Sequence, residues 1–242
     1  MPIDVYRAAR CIGAKRLLGH LLQDLAIAFP GASARLDAIV VSFGGTGCTF
    51  LLRYISRFMR TNSTNSLDDG LKHVNRPTHL LLRRYKIGKG IYVFDDPRRS
   101  VISLFRRKYH GHLRVKLRSN HGTITGYNLD IAGNSVDFEF DGFLAKGMDT
   151  FGIIDHWRSW SSAEPVPFPT LFVKFDDLHN SIGKVLDFRE IPQHFADDFP
   201  AKKPRSSDQV SLTTRQSALL GQIYGAMAEE INSASPVFRR DP

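Results

Sequence analysis

The chain has 242 residues, of which 42% are hydrophobic and 24% charged, the balance of an ordinary globular protein rather than a disordered or fibrous one. A chain of this length buries roughly 70% of its unfolded surface on folding and needs neither metal nor disulfide to hold a core. The formal net charge is +9, and the excess is concentrated: Arg83 to Arg118 holds 12 basic and 2 acidic residues, which leaves the rest close to neutral. A local excess points to an anionic partner (nucleic acid, nucleotide, phospholipid or sulfated glycan), where evenly spread charge would point only to solubility. There is no run of 18 apolar residues, so a transmembrane span is excluded as a working reading. Cys11 and Cys48 cannot build a disulfide framework and read as reduced, intracellular thiols.

Residues 1–30 read as a helical annex, with Leu18, Leu21, Leu22 and Leu25 on one packing face. Its Arg7, Arg10, Lys15 and Arg16, with no acid between Asp4 and Asp24, leave a targeting or membrane-surface helix as the alternative to a cytoplasmic or other intracellular protein. Ala38 to Phe43 is a continuous apolar run without polar alternation, the pattern of a central strand buried on both faces. Gly44, Gly45 and Gly47 follow, then a helical pattern from Thr49 to Met59. Asn62 to Asp69 reads as a polar loop, His79 to Leu82 as a weak strand and Gly90 to Phe94 as a strong one. Pro97 suits the first turn of a helix, expected over Ser100 to Tyr109 with Val101, Leu104 and Phe105 inward.

From 110 to 147 the pattern is broken by glycines and reads as an insertion facing the acceptor, with Val136 to Phe140 a strand or half-buried loop. Thr150 to Trp160 is helical, a proline-rich connector leads to a strand at Leu171 to Phe175, and Leu212 to Ile231 is the clearest helix. Leu219, Leu220, Ile223 and Met227 line one side of that helix, and Thr213 with Gln216 fits a capping box. Strands alternating with helices predict a single α/β domain over 1–242 with a short parallel central sheet flanked by helices.

The turn Gly44-Gly45-Thr46-Gly47-Cys48-Thr49 has a definite chemistry. Glycines let successive backbone N–H groups converge on an anion, a following helix adds its own unpaired N–H groups, and Thr46 and Thr49 can donate hydroxyls. The other reading is a tight turn without a ligand. A Walker A motif is excluded, because Cys48 and Thr49 stand where it needs Lys and Ser or Thr. The dinucleotide fingerprint fails too, since no acid closes a strand about 20 residues on. Of the nine histidines, His73, His110, His112 and His121 are not spaced as a zinc set, and the two cysteines do not join them.

These residues resemble the sulfotransferase family, whose members use 3'-phosphoadenosine 5'-phosphosulfate (PAPS) on a three-layer, P-loop-like α/β fold. The family's first signature, Pro-Lys-Ser-Gly-Thr-Thr-Trp-Leu, aligns with Gly44 to Leu51, and its second with the strand Ile91 to Phe94 followed by Asp95-Asp96-Pro97 and Ser103. Phe175-Asp176-Asp177-Leu178 is similar to its Tyr-Glu-Asp-Leu, and Phe151 to Trp160 to a Trp-bearing helix; both read as core and helix-capping features. Lys202, Lys203 and Arg205 are the nearest counterpart of its C-terminal Arg-Lys-Gly element.

The resemblance implies PAPS as cofactor, bound by Gly44, Gly45, Thr46, Gly47, Cys48 and Thr49 at the 5'-phosphosulfate and by Ser103 and Arg98 at the nucleotide phosphate. It implies His79 as general base, a small-molecule or glycan hydroxyl or amine acceptor, and no metal. Two cationic positions of the family are replaced, its Lys by Gly45 and its Arg by Asp95. Arg53 or a residue of the basic block is the expected stand-in. The alternative is a weakly active relative that binds a polyanion or protein through the basic surface, although no nucleic-acid motif is present.

Overall fold

The computed structural model describes residues 35–62, 70–78, 86–118, 139–202 and 204–242. The N-terminal annex, the strand expected at His79 to Leu82 and the general base His79 lie outside the described residues.

Four strands form one sheet in sequence order: β1 (Arg35–Val41), β2 (Lys86–Phe94), β3 (Thr170–Lys174) and β4 (Val237–Arg240). The first three are parallel, as the apolar runs predicted, and β4 pairs antiparallel with β3. Register aligns Val41, Tyr92, Phe172 and Phe238 in one row and Val40, Ile91, Leu171 and Arg239 in the next. Successive rows face opposite sides, and each side has its own core. One packs Tyr92, Phe94 and Phe172 against Trp157, Tyr224 and Met227; the other packs Val40, Ile91 and Val173 against Leu51, Ile55, Val185 and Leu186. The result is a central sheet flanked by helices on both faces. Burying each large side chain in such a layer contributes roughly 1.5–3 kcal/mol.

Some of the helices start where a side chain satisfies an open N–H group, and others do not. α1 (Cys48–Ile55) follows directly from the glycine turn. α2 (Pro97–Arg106) starts three residues earlier than its pattern suggested, because the Asp96 carboxylate accepts from the Arg98 N–H at 2.9 Å with proline next to the cap. α3 spans His110–Arg118, and α4 (Phe140–Leu144) begins at a residue expected to end a strand. α5 (Ile153–Arg158) is entered late because the Asp149 carboxylate binds the N–H groups of Phe151, Gly152 and Ile154, while Gly152 turns at φ 81°. α6 is Ile182–Phe188. α7 (Thr214–Ser233) carries the expected capping box between Thr213 and Gln216, with Leu220, Ile223 and Met227 buried.

Beyond the free side of β1, the Asn62 amide mimics a neighbouring strand. Its Oδ1 accepts from the Val40 N–H at 2.8 Å and its Nδ2 donates to the Val40 carbonyl at 3.0 Å. Within the core, the Tyr92 hydroxyl and His156 Nδ1 share a hydrogen bond of 2.8 Å. Burial holds His156 down to about 3, so the ring stays neutral. Among the described residues no helix is long and apolar enough to cross a membrane.

Candidate functional site

The glycine turn leaves β1 at the carboxyl end of the parallel strands and enters α1, the position where open α/β sheets bind ligands. Gly44, Gly45 and Gly47 have φ of 93°, 73° and 75°, a backbone region that side-chain-bearing residues rarely adopt. Space is as restrictive as conformation. A Cβ on Gly45 would lie 2.6 Å from the Ser100 carbonyl oxygen, and one on Gly47 would strike the Phe175 ring. The lysine that the resemblance expects at Gly45 therefore has no room, since the backbone of α2 occupies its place.

A cation arrives from elsewhere. The short 3-10 turn Gly70–His73 docks on the end of β1, where the Ser42 N–H donates to the Lys72 carbonyl at 2.8 Å. This sends the buried Lys72 to the first turn of α1, where Nζ donates to Thr49 Oγ1 at 3.3 Å. His73 follows it inward, with Nδ1 2.8 Å from the Ser42 carbonyl. That contact makes Nδ1 the protonated nitrogen and Nε2 the basic one. Lys72, from outside the Arg83–Arg118 block, lines the same cleft as Arg53, the cation expected there, and Arg107 of the block.

Asp95, which replaces the family's arginine, is 1% exposed at the end of β2 and forms an ion pair with Arg205, itself 8% exposed. Burial raises the Asp95 carboxyl above its ordinary value, against the lowering effect of Arg205. Arg205 also donates to Asp176 Oδ1 at 3.1 Å and covers the Phe175 ring at 4.9 Å. Arg99 joins Asp176 at 2.5 Å to Asp208 at 2.8 Å. Asp176 was expected as a helix cap. It instead accepts from two arginines, because residues 175–177 form a single 3-10 turn at the site.

Two chambers open on either side of the turn and share Gly45, Gly47, Phe50 and Arg107. The smaller, about 210 Å³, adds Ser103, Phe175, His179 and Arg205. The larger, about 540 Å³, adds Arg53, Lys72, His73 and Tyr109. Of the residues expected to hold PAPS, Gly44, Gly45, Gly47, Cys48, Thr49 and Ser103 line one chamber or the other. Thr46 lies beneath, fully buried, and its hydroxyl and that of Ser100 have no hydrogen-bond partner. Arg98 is gripped by Asp96, Nη2 to Oδ2 at 2.6 Å, and lines neither chamber.

Cys48 is a buried free thiol, and among the described residues no cluster of His, Cys, Asp or Glu could hold a metal ion. Sequence reasoning missed Lys72, His73 and Arg107 as site residues. The first two carry no spacing signal, because only the docking of their turn on β1 brings them in. Compared with known proteins, the chain matches no family model, no curated protein and no solved structure.

Proposed function

We propose that the protein is a sulfotransferase with a P-loop-like site, moving a sulfuryl group from PAPS to a hydroxyl or amine. The observation that carries this reading is the glycine cradle at the end of β1 with Lys72 on Thr49, because it supplies backbone donors and a cation in one place. Gly44, Gly45 and Gly47 line the chambers without side chains of their own, which lets a phosphate or sulfate group approach the backbone N–H groups there. PAPS, when bound, supplies the sulfuryl group and the leaving bisphosphate.

The chain's own groups divide the remaining work. Gly45, Gly47 and Thr49 hold the anion, and Lys72 offsets its charge. Ser103, Arg107 and Arg205 face the smaller chamber and orient the nucleotide phosphates. An imidazole takes the acceptor proton: His79 is the residue assigned by resemblance, and His73 is the imidazole that lines the larger chamber.

Calorimetric titration with 3'-phosphoadenosine 5'-phosphate in low salt tests the reading, with saturable binding expected; no binding would sink it. Comparing H73A and H79A for transfer at fixed nucleotide affinity identifies the base. The second reading, polyanion binding without transfer, rests on Arg106, Arg107, Lys108 and Tyr109 being exposed in succession. Heparin retention lost on neutralising Arg106, Arg107 and Lys108, with no nucleotide binding, would favour it.

A further inference from the structure

The two chambers differ in a way that the transfer reading does not use. In the smaller, Arg205 is already matched by Asp95 and Asp176. In the larger, the described lining residues include Arg53, Arg57, Lys72 and Arg107 and no carboxylate. Lys72 is committed to Thr49 at the glycine turn, and Arg107 is shared with the nucleotide side. Arg53 and Arg57 remain. They stand one helical turn apart at the carboxyl end of α1, both exposed, on the rim away from Ser103. Arg57 has one carboxylate partner, Asp198, at 3.4 Å with both side chains about half exposed, a contact that water and salt weaken. The rings of Tyr54 and Tyr109 border the same space.

We propose that the larger chamber is the acceptor site and that its acceptor is itself an anion, a hydroxyl-bearing carboxylate or sulfate such as an acidic sugar. This rests on the transfer reading for the word acceptor alone; the recognition of an organic anion rests on the cations. Arg53 has no carboxylate in the chamber lining and Arg57 only its exposed contact with Asp198, so a neutral alcohol would use neither charge. An anionic one gains paired donors that suit carboxylate and sulfate oxygens. The Tyr54 and Tyr109 rings lie under the Arg57 and Arg107 guanidiniums at 5.5 Å each, which steadies those cations at the chamber, and a space of this size suits one or two sugar units. Attraction between exposed cations and an anionic ligand also speeds encounter and weakens with salt.

The test uses the full chain and a disaccharide containing one uronic acid, set beside the same disaccharide with its carboxyl reduced to an alcohol. Binding of each is measured by calorimetry, first without nucleotide and then with saturating 3'-phosphoadenosine 5'-phosphate. The acidic disaccharide is expected to bind in both conditions, more weakly at higher salt, and at least tenfold more tightly than its reduced form. Arg53→Ala and Arg57→Ala lie on the surface and are expected to retain the fold; each should weaken acidic binding by about tenfold. Equal binding of the two sugars, no binding of either, or unchanged affinity in both variants would overturn the proposal. So would displacement of the nucleotide by the acidic sugar, which would put both in one chamber. Failure of the nucleotide alone to bind, with the acidic sugar still selected, would remove the transfer reading and leave the anion site standing.

Discussion

On one flank of the glycine turn, Arg98, Arg99 and Arg205 are each held by carboxylates: Asp96, the pair Asp176 and Asp208, and the pair Asp95 and Asp176. On the other flank the described lining holds four cations and no carboxylate. Lys72 meets a hydroxyl, and Arg107 Nε donates to the Ser103 carbonyl at 3.1 Å. The lesson concerns charge read as a sum. The basic block contributes arginines to both flanks, yet on the first most of that charge is spent on the protein's own acids. Only the second keeps a field that a visiting anion would feel across the chamber.

The largest expected effect comes from breaking the neutralised flank. Arg205→Met leaves Asp95 buried with no partner, and removing one member of a buried pair costs roughly 3–5 kcal/mol. The loss should depend on pH. The folded Asp95 carboxyl is already raised by burial, so its contribution to stability is full below the ordinary carboxylate value and fades as pH rises through the folded value. Without Arg205 that folded value moves higher. Urea unfolding should show a deficit near its maximum at pH 8 and a smaller one at pH 5; equal deficits would mean the pair is not what holds the segment.

Next comes the divider between the flanks. Gly45→Ala forces a left-handed backbone costing roughly 1–2 kcal/mol and a collision with the Ser100 carbonyl in the range of ~1–3 kcal/mol for overpacking. Both stability and nucleotide affinity should fall together. Lys72→Met acts on the open flank alone. It keeps the packed stem but removes a charge-assisted bond of roughly 1.5–3 kcal/mol, so phosphate-group affinity should drop at least tenfold while the melting temperature changes little. The smallest effect is expected from Asp198→Asn, whose exposed pairing with Arg57 contributes about 0–1 kcal/mol. A thermal shift of more than a few degrees would show that this pair is tighter than its exposure allows.

Strands β1, β2 and β3 were legible because burial on both faces writes itself as unbroken apolar runs. α7 was legible through its stripe and its Thr213–Gln216 box. β4 was not: Val237-Phe238-Arg239-Arg240 is four residues with two arginines, and its place depends on Phe238 stacking on Phe172 at 4.5 Å. At the site, local chemistry was readable and delivered chemistry was not. The glycine turn announces itself by composition, and Asp95 was visible as an acid where a cation was expected. Its neutralisation by Arg205, 110 residues later, was not visible, although the basic cluster at 202–205 had been marked. Lys72 sits in no motif, and only tertiary docking converts it into a site residue.

The Asn62 amide has a consequence beyond the hydrogen bonds it makes. Among the described residues β1 is the terminal strand of the sheet, and a terminal parallel strand offers its open backbone to any extended peptide that passes. Satisfying Val40 through a side chain, with Thr61 bridging to Ala38, closes that invitation without adding a strand. Replacing Asn62 by a hydrophobic residue should therefore appear first as self-association at high concentration.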